Sequence, residues 1–151
     1  MTLDALRPFL VAPPVQHPPP AAYLSAARSW ALDIALDVRI NGNVVSRTAF
    51  RDVYWTFAQQ LAHMTANGAT TRTGDLFASG TVSGDTEGSY GSMMELTWGG
   101  TRMLHLDDGS ARTFLEDGDT VALHGCCGGD AGMPRIGFGD ATGTIVPRRS
   151  A

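Results

Sequence analysis

The chain has 151 residues, enough for one domain with its own core. Its net charge is −4 without a basic cluster, and no apolar run nears the ~20 residues of a membrane span, so neither nucleic acid nor a membrane is an expected partner. All 11 basic residues are arginine, which excludes Schiff-base chemistry on a lysine of this chain.

The opening MTLDALRPFL lacks a basic stretch followed by an apolar one, so no secretory leader is read. Residues 1–20 read as a short helical turn capped by Thr2 or Asp4, then irregular chain. Pro13, Pro14, Pro18, Pro19 and Pro20 forbid regular structure there. This arm is expected to wrap over a surface or a partner.

The segment 32-LDIALDVRI-40 alternates, with Leu32, Ile34, Leu36, Val38 and Ile40 on one face and Asp33, Asp37 and Arg39 on the other. It reads as one strand. Asn41-Gly42 then marks a hairpin, because both residues tolerate positive φ. The segment 52-DVYWTFAQQLAHMTANG-68 is the main helix, expected over about 52–66. Val53, Phe57, Leu61 and Met64 form its apolar stripe, and Asn67-Gly68 stop it. His63 sits near its C-terminus, where the helix dipole favours a histidine; a structural and a site role both remain open.

Short strands and glycine turns follow: 75–79, 91–98, 102–106, 112–116, 120–125 and 135–146, with turns at 98–101, 107–110 and 116–119. The fold class is mainly β, an antiparallel sandwich or roll with one main helix. The carboxylates of 107-DDG-109 and 116-EDGD-119 fit exposed turns better than calcium loops. Cys126 and Cys127 are neighbours whose side chains point to opposite strand faces, which makes them poor disulfide partners and fits a reducing cytoplasm. As metal ligands they have only His124 and Asp130 for company.

Glu95 stands apart. It is one of only three glutamates, with Glu87 and Glu116, and it lies between Met94 and Leu96. Either it faces outward beside an inward Met94, or it points inward and needs a partner such as a histidine. Such a pair orients and activates a base.

The runs 54-YWTFAQQLAHMTANG-68, 72-RTGDLFASGTVSG-84, 91-GSMMELTWGG-100, 117-DGDTVALHG-125 and 135-RIGFG-139 resemble, in this order and spacing, the C-terminal part of the fumarylacetoacetase family. The resemblance covers nearly the whole chain, 3-LDALRPF-9 included. It implies a mixed β-sandwich roll, incomplete at its N-terminal side. Residues 1–151 are then the C-terminal portion of a catalytic domain, without the SH3-like N-terminal domain or the first part of the catalytic domain. It further implies hydrolysis of 4-fumarylacetoacetate to fumarate and acetoacetate in tyrosine and phenylalanine breakdown. The family is homodimeric and uses Mg²⁺ or Ca²⁺.

Two family roles fall on this sequence. Thr81, in 78-ASGTVSG-84, matches the threonine that binds a carboxylate of the substrate. Glu95 matches the glutamate that orients the catalytic histidine. The family's carboxylate metal ligands, its histidine and its oxyanion groups all precede the matched region. The chain alone is therefore expected to hold no metal and to be inactive. The alternative is a non-catalytic β-roll that binds or dimerises, or a truncated gene product.

Overall fold

The computed structural model describes residues 1–25, 30–129 and 132–148. In chain order the elements are α1 (Leu3–Leu6), β1 (Leu10–Val11), β2 (Ala31–Leu32), β3 (Ala35–Ile40), β4 (Asn43–Ala49), α2 (Phe57–Thr65), α3 (Met93–Leu96), β5 (Leu104–His105), β6 (Ala111–Arg112), β7 (Thr120–Cys127) and β8 (Ile136–Thr144). Single 3₁₀ turns cover Arg7–Phe9, Ala22–Leu24 and Phe50–Asp52. The central sheet is antiparallel in the order β4-β3-β7-β8, and β1-β2 and β5-β6 form two short ribbons. The fold is thus mainly β with one main helix.

The β3–β4 hairpin turns where Asn-Gly stands. Asn41 and Gly42 have φ of 51° and 84°, the two positive values of a tight two-residue turn. Upstream, the expected single strand 32–40 is two strands. Leu32 pairs with Leu10 in the small ribbon, whereas β3 starts at Ala35 and pairs with β4 and β7. Between them the Asp33 amide donates to the Phe9 carbonyl (3.0 Å) and the Phe50 amide to the Ile34 carbonyl (2.8 Å). The alternation persists through the break because Leu32 and Ile34 serve the same core. That core is Leu6, Phe9, Leu32, Ile34, Phe50 and Cys127, with Trp30, Leu36, Val53 and Phe57 packed on it.

Helix α2 is shorter than expected, and Thr56 fixes its start. The Thr56 hydroxyl accepts from the Gln59 amide (3.3 Å) and the Gln59 side-chain oxygen accepts from the Thr56 amide (3.1 Å), a reciprocal capping box. Phe57 stacks on Phe50 with ring centroids 4.8 Å apart. The rest of the expected stripe is not buried: Val53 precedes the helix, and Leu61 and Met64 stay 47% and 42% exposed. The proline arm does wrap over a surface, at the helix entrance. The Gln16 amide donates to the Tyr54 carbonyl (2.6 Å), and Gln59 donates back to Gln16 (2.6 Å).

Segment 75–79 is irregular, and 91–98 is not a strand. Ser92 caps the single helical turn α3 by accepting from the Glu95 amide (3.3 Å). The turn then closes through Trp98, Gly99 and Gly100, all at positive φ. Ser92-Met93-Met94-Glu95 is an S-x-x-E helix start, and that local signal outweighs the alternation that suggested a strand.

Candidate functional site

Glu95 lies on the exposed side of α3, not on a core strand. Its carboxylate is nevertheless held. Oε2 accepts from the Ser83 hydroxyl at 2.8 Å and from the Ser92 hydroxyl at 2.7 Å. The Ser83 hydroxyl in turn accepts from the Gly91 amide (3.0 Å). The other oxygen, Oε1, has no hydrogen-bond partner among the described residues and is free to accept from an N–H. None of the described histidine contacts reaches Glu95.

Thr81 belongs to the same assembly. It follows Gly80, whose φ of 81° turns the chain, and its hydroxyl is exposed. The segment Thr81–Ser83 lies directly against Gly91. A Cβ on Gly91 would stand 2.1 Å from the Val82 carbonyl oxygen and 2.9 Å from the Thr81 methyl carbon. Only a residue without a side chain permits that approach. Thr81, Ser83, Gly91, Ser92 and Glu95 therefore form one constellation. Its two exposed residues, Thr81 after a glycine turn and Glu95 with its fixed carboxylate, are open to solvent. The structure brings the sequence candidates Thr81 and Glu95 onto neighbouring segments and adds Ser83 and Ser92, which the sequence reading did not single out. The S-x-x-E spacing marks Ser92; nothing local marks Ser83, twelve residues from its partner.

A cleft of about 430 Å³ opens on the upstream side of this turn, walled by Tyr23, Val53, Trp55, His63, Phe77 and Ser79. His63 pairs there with the Tyr23 hydroxyl, 3.2 Å from Nδ1. The second histidine with defined partners, His124, stands 2.6 Å from Asp140 and 3.1 Å from Arg135.

The turn carboxylates are tied up in structure. Asp108 accepts from the amide and hydroxyl of Ser110 at 2.8 and 2.6 Å. The turn 116–119 is exposed at 116–118 as expected; Asp119 alone departs from that reading, its side chain 3% exposed and paired with Arg112. Among the described residues no three His, Cys, Asp or Glu side chains cluster to hold a metal ion. Asp130 lies outside the described residues. Cys126 and Cys127 are both free thiols. No helix among the described residues is long and apolar enough to cross a membrane.

Comparison with known proteins gives a consistent result. The family model described as fumarylacetoacetate (FAA) hydrolase, C-terminal, matches residues 6–146. The fumarylacetoacetase of Arabidopsis thaliana is 46% identical over 153 residues, covering 97% of this chain. Those of Mus musculus and Homo sapiens are 44% identical, covering 98% and 96% of it. The chain spans 36% of the length of each of these relatives.

Proposed function

Because the chain belongs to the fumarylacetoacetate hydrolase C-terminal family, we propose that it supplies one wall of a fumarylacetoacetase active site. The reaction is addition of water across a carbon–carbon bond of 4-fumarylacetoacetate, releasing fumarate and acetoacetate. Thr81 donates its hydroxyl to a substrate carboxylate. Glu95 accepts, through Oε1, the N–H of a histidine supplied by polypeptide beyond these 151 residues. It thereby sets that ring's tautomer and stabilises the imidazolium formed when the ring takes the water proton.

The observation that carries this reading is the double hold on Glu95. Ser83 and Ser92 fix one carboxylate oxygen and leave the other free, beside the segment that carries Thr81.

The described residues do not form a ligand set for a divalent ion. On this reading the Mg²⁺ or Ca²⁺ that the family resemblance implies is held by residues beyond this chain, and neither role above passes through it. The same resemblance supports a cytoplasmic homodimer acting in tyrosine and phenylalanine breakdown.

The test is a fusion of this chain to the part of the Arabidopsis relative that it does not cover. Hydrolysis is followed by the loss of fumarylacetoacetate absorbance. Glu95→Gln lowers kcat by roughly 10²–10⁴ while folding stays intact, because an amide cannot stabilise the imidazolium. Thr81→Val acts mainly on KM, by roughly ten- to a hundredfold, the worth of one hydrogen bond to a carboxylate. Wild-type kcat in the Gln variant refutes the assigned role of Glu95.

A further inference from the structure

The β7–β8 ladder is interrupted once. His124 pairs with Asp140 and Cys126 pairs with Gly137, so Phe138 and Gly139 of β8 oppose the single residue Gly125 of β7. This is a β-bulge, and Gly139 takes the left-handed φ of 80° that it needs. His124 holds both flanks of it. Asp140, on the far side, lies 2.6 Å from Nδ1. Arg135, on the near side, lies 3.1 Å from Nε2. A guanidinium can only donate, so Nε2 accepts and Nδ1 carries the proton that goes to Asp140. The neutral ring is fully used in joining two residues five positions apart in β8 and its approach.

We propose that His124 is a proton-operated latch on this bulge: neutral, it ties Arg135 to Asp140 across the bulge; protonated, it keeps Asp140 and expels Arg135. A second proton occupies Nε2, removes the acceptor and sets two cations facing each other at contact distance. The surroundings supply the opposing pulls. Asp37, its register partner on β3, is already bound by Arg39 at 3.1 Å. Arg47, Asp52, Asp85 and Cys126 border the same cleft of about 310 Å³. The charged groups around the ring are Asp37, Asp52, Asp85 and Asp140 on the one hand and Arg39, Arg47 and Arg135 on the other.

Among the described residues β8 is an edge strand, paired with β7 alone, so release acts on a strand held from one side. Phe138, 45% exposed, rides on it and leans toward Gly125: a Cβ there would lie 3.5 Å from the Phe138 ring and 3.2 Å from Leu36. Opening the latch thus frees an aromatic side chain beside the core.

The test follows the His124 ring by NMR while amide exchange is read at 137–140, corrected for intrinsic rates. Protection at Phe138 and Gly139 falls about tenfold as pH drops through the His124 midpoint, the equivalent of one charged hydrogen bond. Arg135→Gln moves the midpoint to higher pH, Asp140→Asn to lower pH, and His124→Gln removes the step in protection. Each replaces a surface or partly exposed side chain, so the core is untouched. Equal protection on both sides of the midpoint overturns the latch. So does a midpoint indifferent to Arg135→Gln, or a step that survives in His124→Gln.

Discussion

Asp119→Asn is the most informative single change for stability. Four donors converge on this carboxylate. Arg112 donates from Nε (2.9 Å) and from its terminal nitrogen (3.0 Å), Asn41 from its side-chain amide (2.8 Å), and Glu116 from its backbone (2.8 Å). Those donors belong to the β3–β4 hairpin tip, to β6 and to the turn before β7. The side chain is 3% exposed, so no water replaces a lost partner. Asparagine fits the space but turns one acceptor oxygen into an NH₂ group facing donors. Two of the four bonds are lost, the buried charge pair is broken, and Arg112 is left half-satisfied. Breaking such a pair costs about 3 kcal/mol. For a chain of this size that is a fall in Tm of roughly 6–12 °C.

Acid gives the internal control. Hydrogen bonds from Arg112 first, then from the Glu116 amide and Asn41, hold the Asp119 carboxyl well below the usual carboxylate range. A folded-state value below the unfolded one means stabilisation that is complete above the unfolded value, ~4, and lost progressively below it. Urea denaturation of both chains between pH 7 and pH 2 therefore shows a gap near 3 kcal/mol at neutral pH that narrows below about pH 4. A gap under about 0.5 kcal/mol at pH 7, typical of an inconsequential surface change, refutes the reasoning. So does a gap that is unchanged at pH 2.

Three further outcomes are expected. Gly91→Ala drives a methyl into the Val82 carbonyl, so differential scanning calorimetry shows a lower Tm and the fusion protein loses activity; a wild-type Tm and rate contradict the contact. The 151-residue chain alone is expected not to hydrolyse fumarylacetoacetate, since the histidine and metal ligands that the family resemblance implies precede the matched region; turnover by the purified chain overturns this. Iodoacetamide followed by mass spectrometry modifies Cys126 before Cys127, because Cys127 is 1% exposed and burial, with Cys126 and Asp33 adding to it, pushes its thiol up; the opposite order refutes the assignment.

What could be read from sequence follows the range of the interaction. The β3–β4 hairpin was legible because alternation and Asn-Gly are local signals that agree. The switch of partner at residues 33–34 is hidden, because Leu32 and Ile34 keep one periodicity into a single core while β2 and β3 on either side belong to different sheets. The helix start at Thr56 and the turn at Ser92 were written as T-x-x-Q and S-x-x-E. In both places the apolar pattern runs past the element's true limit: the stripe starts at Val53, before the helix, and the strand-like alternation continues through α3. Thr81 and Glu95 stood out through their motifs. Ser83 on Glu95, Asn41 on Asp119 and Arg135 on His124 did not, since each depends on a fold that brings distant loops or a bulged register together.

The contact at Gly91 also bears on how this constellation can change. Main chain rests on main chain there, with no side chain between to lengthen or shorten. The interval between the Thr81 hydroxyl and the Glu95 carboxylate is consequently a ruler cut into the backbone. Substitutions around it can alter what stands at either end. Changing that interval would take an insertion or deletion in the loop itself.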